Sequence, residues 1–334
     1  MPTKSGLSGE FALIARYFAP LARGFPGAYG LLDDAAVIVP AAGNELVAKT
    51  DAIVGGVDFP PDSPADLVAR KALRVNLSDL AAKGAVPRAY LLDLILPDTI
   101  DEAWIAAFAA GLDRDQIDYG VHLIGGDMSA TPGPVTIAVM MLGEVPAGRI
   151  IRRGGASAGD TIYVTGTIGD AALGLRVLRQ RRSDLDGAVT AYLIERYRLP
   201  RPRVDLGPCL IGHATAALDV SDGLVADLRH LCEVSGLSAT IEAARVPLSA
   251  AARVALTRDD TLLAAVLTGG DDYEILFTAP PTASDRIAEI SRLLNVPITP
   301  IGGMRAAGSG GSEVAVTGAS GRAIALASEG WSHF

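Results

Sequence analysis

Ala216-Ala217-Leu218-Asp219-Val220-Ser221-Asp222-Gly223-Leu224 decides how this chain is built. Ala216–Val220 reads as an apolar strand that runs into an acidic turn, Ser221-Asp222-Gly223, and a helix is expected from Leu224 to about Val234. Outward from it, Thr161–Thr165 reads as a strand, and Asp170–Arg182 and Ala188–Arg198 as helices. Pro200, Pro202 and Pro208 mark turns between them. Tyr273–Thr278, Val296–Ile301 and Glu313–Val316 are further strand candidates. The N-terminal half alternates in the same way. A helix is expected over Gly9–Arg23, then strands Ala35–Val39 and Glu45–Lys49. Ser63-Pro64 opens a helix to about Ala82, with Ser as cap and Pro at the first helical position. Strand Arg88–Leu96, helix Asp101–Tyr119, short strand His122–Ile124 and strand Val135–Val145 follow. Mixed helices and strands throughout imply α/β or α+β architecture. The Gly/Ala/Arg-rich stretch Gly148–Gly159 divides the chain into residues 1–148 and 149–334.

The 334 residues carry 29 Lys+Arg against 38 Asp+Glu, a formal net charge of −9, and 49% are apolar. That composition fits a folded core and not a disordered chain. The acidic balance argues against nucleic acid as a partner. Phosphates, if bound, need imported positive charge, most simply metal ions. The two cysteines, Cys209 and Cys232, are too few for a disulfide framework or a four-thiolate zinc site, and burial is expected for both. Residues 1–10 show no leader-like segment. Met128–Gly143 is uncharged apart from its ends' neighbours but is too short and proline-broken to span a membrane. A cytoplasmic protein is expected.

The common nucleotide signatures are missing. There is no Gly-Lys pair for a Walker-type loop and no Gly-x-Gly-x-x-Gly fingerprint. What recurs is Asp beside predicted strands: Asp33-Asp34, Thr50-Asp51, Asn76-Leu77-Ser78-Asp79, Gly125-Gly126-Asp127, Asp219 to Asp222, and Gly269-Gly270-Asp271-Asp272-Tyr273-Glu274. One Asp-Gly or Asp-Asp pair is ordinarily a turn. Six such places are expected to need cations, because like charges repel. Magnesium takes one or two carboxylates plus substrate phosphates, so this set suits several ions on a polyphosphate. Asn76 and Ser78 read as helix-surface polarity.

In order and spacing, these segments resemble the thiamine-monophosphate kinase family. The quoted segments begin with Gly9-Glu10-Phe11-Ala12-Leu13-Ile14 and end with Gly330-Trp331-Ser332-His333-Phe334. The resemblance implies the two-domain, α/β plus α+β fold of aminoimidazole ribonucleotide synthetase, an N-terminal α/β domain and a C-terminal α+β domain, with N-terminal sheets forming a barrel across a homodimer. It implies phosphoryl transfer from ATP to thiamine monophosphate, giving thiamine diphosphate. Magnesium is carried over to Asp34, Thr50, Asp51, Asp79, Asp127, Asp219 and Asp222, with Asp34, Asp51, Asp127 and Asp222 at the catalytic centre. Nucleotide contacts carry over to Tyr119, Gly126, Asp127, Arg153 and Ser221, and substrate contacts to Asp58, Asp271 and Trp331. Arg153 suits a phosphate through its guanidinium, and Trp331 suits stacking on a cationic ring.

Three positions depart from the family pattern. Asp58 stands where the family usually has His, Asp271 where it usually has Glu, and Leu32 where Gly usually precedes the Asp pair. Two alternatives therefore stay open: a related enzyme with a different small acceptor, and a nucleotide-binding protein without turnover.

Overall fold

Helix α2 (Ala65–Ala82) starts after Ser63-Pro64: the Pro64 carbonyl accepts the Leu67 and Val68 amides, but the buried Ser63 hydroxyl makes no hydrogen bond, so Ser63 does not cap the helix as expected. The computed structural model describes residues 9–180, 185–326 and 330–331. The chain divides into two units: residues up to Leu80 with Ala85–Gly148, and Ala81–Gly84 with Arg149 onward.

In the first unit a short helix α1 (Glu10–Leu13) precedes strand β1 (Asn44–Val54), α2 (Ala65–Ala82) and strand β2 (Val86–Pro97). Helix α3 (Glu102–Tyr119) and strands β3 (His122–Thr131) and β4 (Thr136–Pro146) complete it. The sheet order is β1-β4-β2-β3, antiparallel except for the β2/β3 pair. Side chains alternate across β4: Ile137, Val139 and Met141 are buried, while Met140 is 42% exposed. The register Thr50↔Met140 puts Met140 on the same face as Leu46, which is also exposed. α2 is buried on almost every side, including Arg70 and Arg74, which close on the buried Asp115 of α3 at 2.8 and 2.6 Å. α3 begins where the Asp101 carboxylate accepts the Trp104 amide and ends at Gly120, whose φ of 66° suits glycine.

The second unit contains β5 (Thr161–Thr165), α4 (Asp170–Gln180), α5 (Gly187–Arg198), β6 (Ala216–Asp219), α6 (Leu224–Ser235) and β7 (Leu237–Glu242). It continues through α7 (Ala250–Arg258), α8 (Leu262–Thr268), β8 (Ile275–Ala279), α9 (Ser284–Leu294), β9 (Ile298–Ala306) and β10 (Val314–Thr317). The sheet order is β10-β7-β9-β5-β8-β6. Both faces are covered. Ile162, Val164, Leu218 and Leu276 join one core with Leu173, Leu224 and Val266, and the alternating Tyr163, Ala217, Ile275 and Phe277 join another with Leu206 and Ile287.

Several expectations need correction. Ala35–Val39 is not a strand: its Val37 amide bonds the Gly27 carbonyl, and Val37 and Val39 are exposed. The strand at His122 does not stop at Ile124 but continues through Gly125-Gly126-Asp127 to Thr131, because β2 pairs along its whole length. Thr50 and Asp51 likewise lie inside β1, not at a strand edge, whereas Asp79 lies near the end of α2, as the helix expected to run to Ala82 places it. Asn76 and Ser78 are not surface polarity, since each is 1% exposed. The opening helix widens from α to a π turn at Ile14–Phe18 and then tightens to a 3-10 turn at Ala19–Ala22, where Pro20 lacks an amide. Cys232 is buried, which pushes its thiol up to about 11, but Cys209 is exposed. Arg182 of the expected helix and the closing Ser332-His333-Phe334 lie outside the described residues.

Candidate functional site

The first unit sets the acids expected to hold metal in two places. Asp33, Asp34 and Asp127 line a cavity of about 310 Å³ with Leu31, Gly125 and Gly126. Asp33 accepts the Asp34 amide at 2.8 Å, a local turn, and Ser129 donates to Asp127 at 2.8 Å. Gly126 is required here: its φ is 150°, and a Cβ would fall 1.8 Å from the Leu92 carbonyl oxygen of the adjacent strand. Asp93 on β2, which the sequence pattern missed inside an apolar strand, stands in register beside Asp127.

The second place is the β1 side facing α2. Lys49 Nζ lies 3.4 Å from an Asp51 oxygen and also contacts Asp79. A positive charge thus already sits between two carboxylates expected to hold metal. Thr50, adjacent to Asp51 in the strand, projects to the opposite face. Among the described residues no three His, Cys, Asp or Glu side chains converge closely enough to hold an ion unaided. Hard carboxylate oxygens in ones and twos still fit magnesium, which completes its shell from phosphates and water.

Tyr119 closes α3 with the Arg74 guanidinium 5.4 Å above its ring, and burial raises its phenol. Asp58 is tied into its own turn. Its Oδ2 accepts the Val54 amide at 2.7 Å, its amide donates to the Val54 carbonyl at 2.9 Å, and its carbonyl accepts from Lys71 at 3.1 Å.

In the second unit β6 ends on the buried Asp219, and the chain turns through Ser221-Asp222-Gly223 into α6. Asp227, one turn into that helix, reaches back: its Oδ2 accepts the amides of Ser221, Asp222 and Gly223 at 3.0, 3.0 and 3.1 Å. Sequence reading missed it, although it is the first acid of the helix expected after Ser221-Asp222-Gly223. Burial raises the Asp227 carboxyl well above the ordinary carboxylate range, and the charges of Asp222 and Asp219 raise it further. Arg153 is exposed, and the carbonyl of its neighbour Arg152 accepts the Ala217 amide of β6.

The Gly269–Glu274 motif splits by burial. Asp271 is partly exposed at φ 64°, a left-handed conformation that Asp tolerates better than most residues. Asp272 and Glu274 are buried. Asp272 accepts the Gly169 amide at 2.8 Å, and burial raises its carboxyl well above the ordinary range. Glu274 accepts from Thr165, Arg196 and Arg203.

Similarity to known proteins agrees with this layout. The family descriptions "AIR synthase related protein" match as an N-terminal domain over residues 32–145 and a C-terminal domain over 157–315. A thiamine-monophosphate kinase of Caulobacter vibrioides is 42% identical over 296 residues, spanning 88% of this chain and 83% of that protein. The chain belongs to the thiamine-monophosphate kinase family. The crystal structure of the family's protein from Stenotrophomonas maltophilia superposes with a TM-score of 0.82 at 39% identity, covering 95% of this chain and 98% of that one. A second family structure, AaThiL complexed with AMPPCP and TMP, gives 0.76 at 30% identity over 92% and 97%. Among the described residues no helix is long and apolar enough to cross a membrane.

Proposed function

We propose that this chain is a thiamine-monophosphate kinase that transfers the terminal phosphoryl group of ATP to thiamine monophosphate, yielding thiamine diphosphate and ADP. The observation that carries the reading is likeness along nearly the whole chain to a family structure complexed with AMPPCP and TMP. In the first unit, Asp34, Asp51, Asp79 and Asp127, with Thr50, are the proposed metal ligands, and Tyr119 and Gly126 the proposed nucleotide contacts. In the second, Asp219 and Asp222 are proposed for metal, Ser221 and Arg153 for nucleotide, and Asp271 and Trp331 for the substrate. When bound, magnesium supplies neutralisation of the phosphate charge that develops during transfer. The chain's own residues supply positioning: Arg74 holds the Tyr119 ring, Gly126 keeps β3 close against β2, and Asp271 and Trp331 donate backbone amides to the carbonyls of Ser221 and Asp222.

The same reading proposes a homodimer joined through the first unit, with its sheet completed into a barrel by a second copy. Exposed Leu46 and Met140 on one face of that sheet support it. It also proposes a cytoplasmic location. Incubation of the protein with ATP, magnesium and thiamine monophosphate, followed by chromatography, tests the activity: thiamine diphosphate is expected, and its absence with ATP still bound would leave the nucleotide-binding alternative. Sedimentation that shows only monomer at micromolar concentration would remove the barrel.

A further inference from the structure

A helix start with three converging amides is ordinarily a ready-made seat for a phosphate. At the start of α6 that seat is taken by the protein itself. One oxygen of Asp227, a residue 4% exposed, accepts the amides of Ser221, Asp222 and Gly223 together. The carbonyls of the same turn are taken as well. Val220 accepts from Tyr273 at 2.8 Å, Ser221 from Asp271 at 2.8 Å, and Asp222 from Trp331 at 2.9 Å. Backbone approach is so close that a Cβ on Gly270 would lie 2.3 Å from the Ser221 carbonyl oxygen, and one on Gly330 would lie 2.7 Å from that of Asp222. Two separate stretches of chain, Gly270–Tyr273 and Gly330-Trp331, therefore meet on one turn, and Asp227 fixes that turn from behind.

We propose that Asp227 is a positioning residue, which holds the Ser221–Gly223 turn so that Asp222, Asp271 and Trp331 are set as one unit for metal and thiamine monophosphate. The proposal rests on the kinase reading above. It has a second consequence: with its amides occupied, this turn does not cradle a phosphate, so phosphate is held there by side chains and metal.

Three variants and two readouts test it. The first readout is amide exchange in the metal-free, substrate-free protein. The Ser221, Asp222 and Gly223 amides are expected to exchange slowly in the wild type and fast in Asp227→Ala. The second is kinetic. Asp227→Ala is expected to raise the magnesium half-saturation and the KM for thiamine monophosphate together, by about 10- to 100-fold, the range for residues that orient metal ligands. Asp227→Asn, which keeps an acceptor oxygen at the same reach, is expected to recover most of the loss. Asp227→Glu retains the carboxylate but displaces it by one methylene, and is expected to behave like Asp227→Ala; it takes over if the alanine variant does not fold. Folded Ala or Glu variants with wild-type magnesium and substrate dependence overturn the proposal, as does an Asn variant no better than Ala. If the wild type forms no thiamine diphosphate, the kinase reading fails, and slow exchange lost in Asp227→Ala still establishes the hold on the turn.

Discussion

Two groups of acids, one beside the candidate site of each unit, have opposite surroundings. In the first, Asp34, Asp51 and Asp127 are exposed, with Lys49 and short turn contacts as their neighbours. In the second, Asp227, Asp272 and Glu274 are buried and surrounded by backbone amides or guanidinium groups. The lesson is that a run of Asp and Glu carries two different jobs. Carboxylates left at the surface are available to a cation, and those drawn inside shape the turns that carry other carboxylates.

The contrast is most severely tested at Glu274. Glu274→Gln removes the buried carboxylate that Arg196 and Arg203 both bond, so it should destabilise by about 3–5 kcal/mol, seen as a lower Tm or denaturant midpoint. A change smaller than that of a surface mutation would break the comparison from its buried side. Next comes Asp222→Asn. Loss of a charge proposed to hold metal should reduce turnover by about 100-fold or more, the scale for removing a group that stabilises developing charge, while Tm stays near wild type. A variant that unfolds instead would place Asp222 with the structural acids.

Asp58 sharpens the comparison, because the family pattern puts it with the substrate while its carboxylate closes a turn on Val54. Asp58→Ala should cost about 1 kcal/mol of stability, the scale of one partly exposed hydrogen bond. A large rise in KM for thiamine monophosphate with no change in Tm would return it to the substrate. The smallest effect concerns Asp272, whose carboxyl burial raises above its unfolded value. The folded state then binds the proton more tightly, so the stabilisation is complete below about pH 4, the unfolded value, and is lost as pH rises through the raised folded value. Asp272→Asn removes that titration, so its stability should decline less than the wild type's over this interval. Parallel stability-pH curves for the two proteins would contradict the assignment.

Much of the architecture was legible because periodicity is written in side chains. Ser63-Pro64 and Asp101 mark the starts of α2 and α3, and the apolar runs of β2, β4 and β5 mark strands. Ala35–Val39 misled because an apolar run becomes a strand only when a neighbour accepts its ladder. β7, α7, α8 and α9 went unread; alanine-rich α7 and the short α8 carry little amphipathic contrast, whereas α9, with Ile287 and Ile290 buried between charged residues, carried a readable helical pattern. At the site, the order of the Asp motifs was legible and their burial was not. In Asp271-Asp272-Tyr273-Glu274 nothing in the letters says that the first acid stays partly exposed while the second and fourth turn inward. Asp227 was hidden for the same reason: its partners are amides, which every residue has.

The most direct measurement is the magnesium dependence of thiamine diphosphate formation by Asp51→Asn and Glu274→Gln, side by side, at a temperature well below the Tm of both. The exposed-acid account predicts that Asp51→Asn keeps its Tm and loses rate or requires more magnesium. It predicts that Glu274→Gln has a lowered Tm and the wild-type magnesium half-saturation. Wild-type magnesium dependence in Asp51→Asn, together with a shifted one in Glu274→Gln, would contradict it.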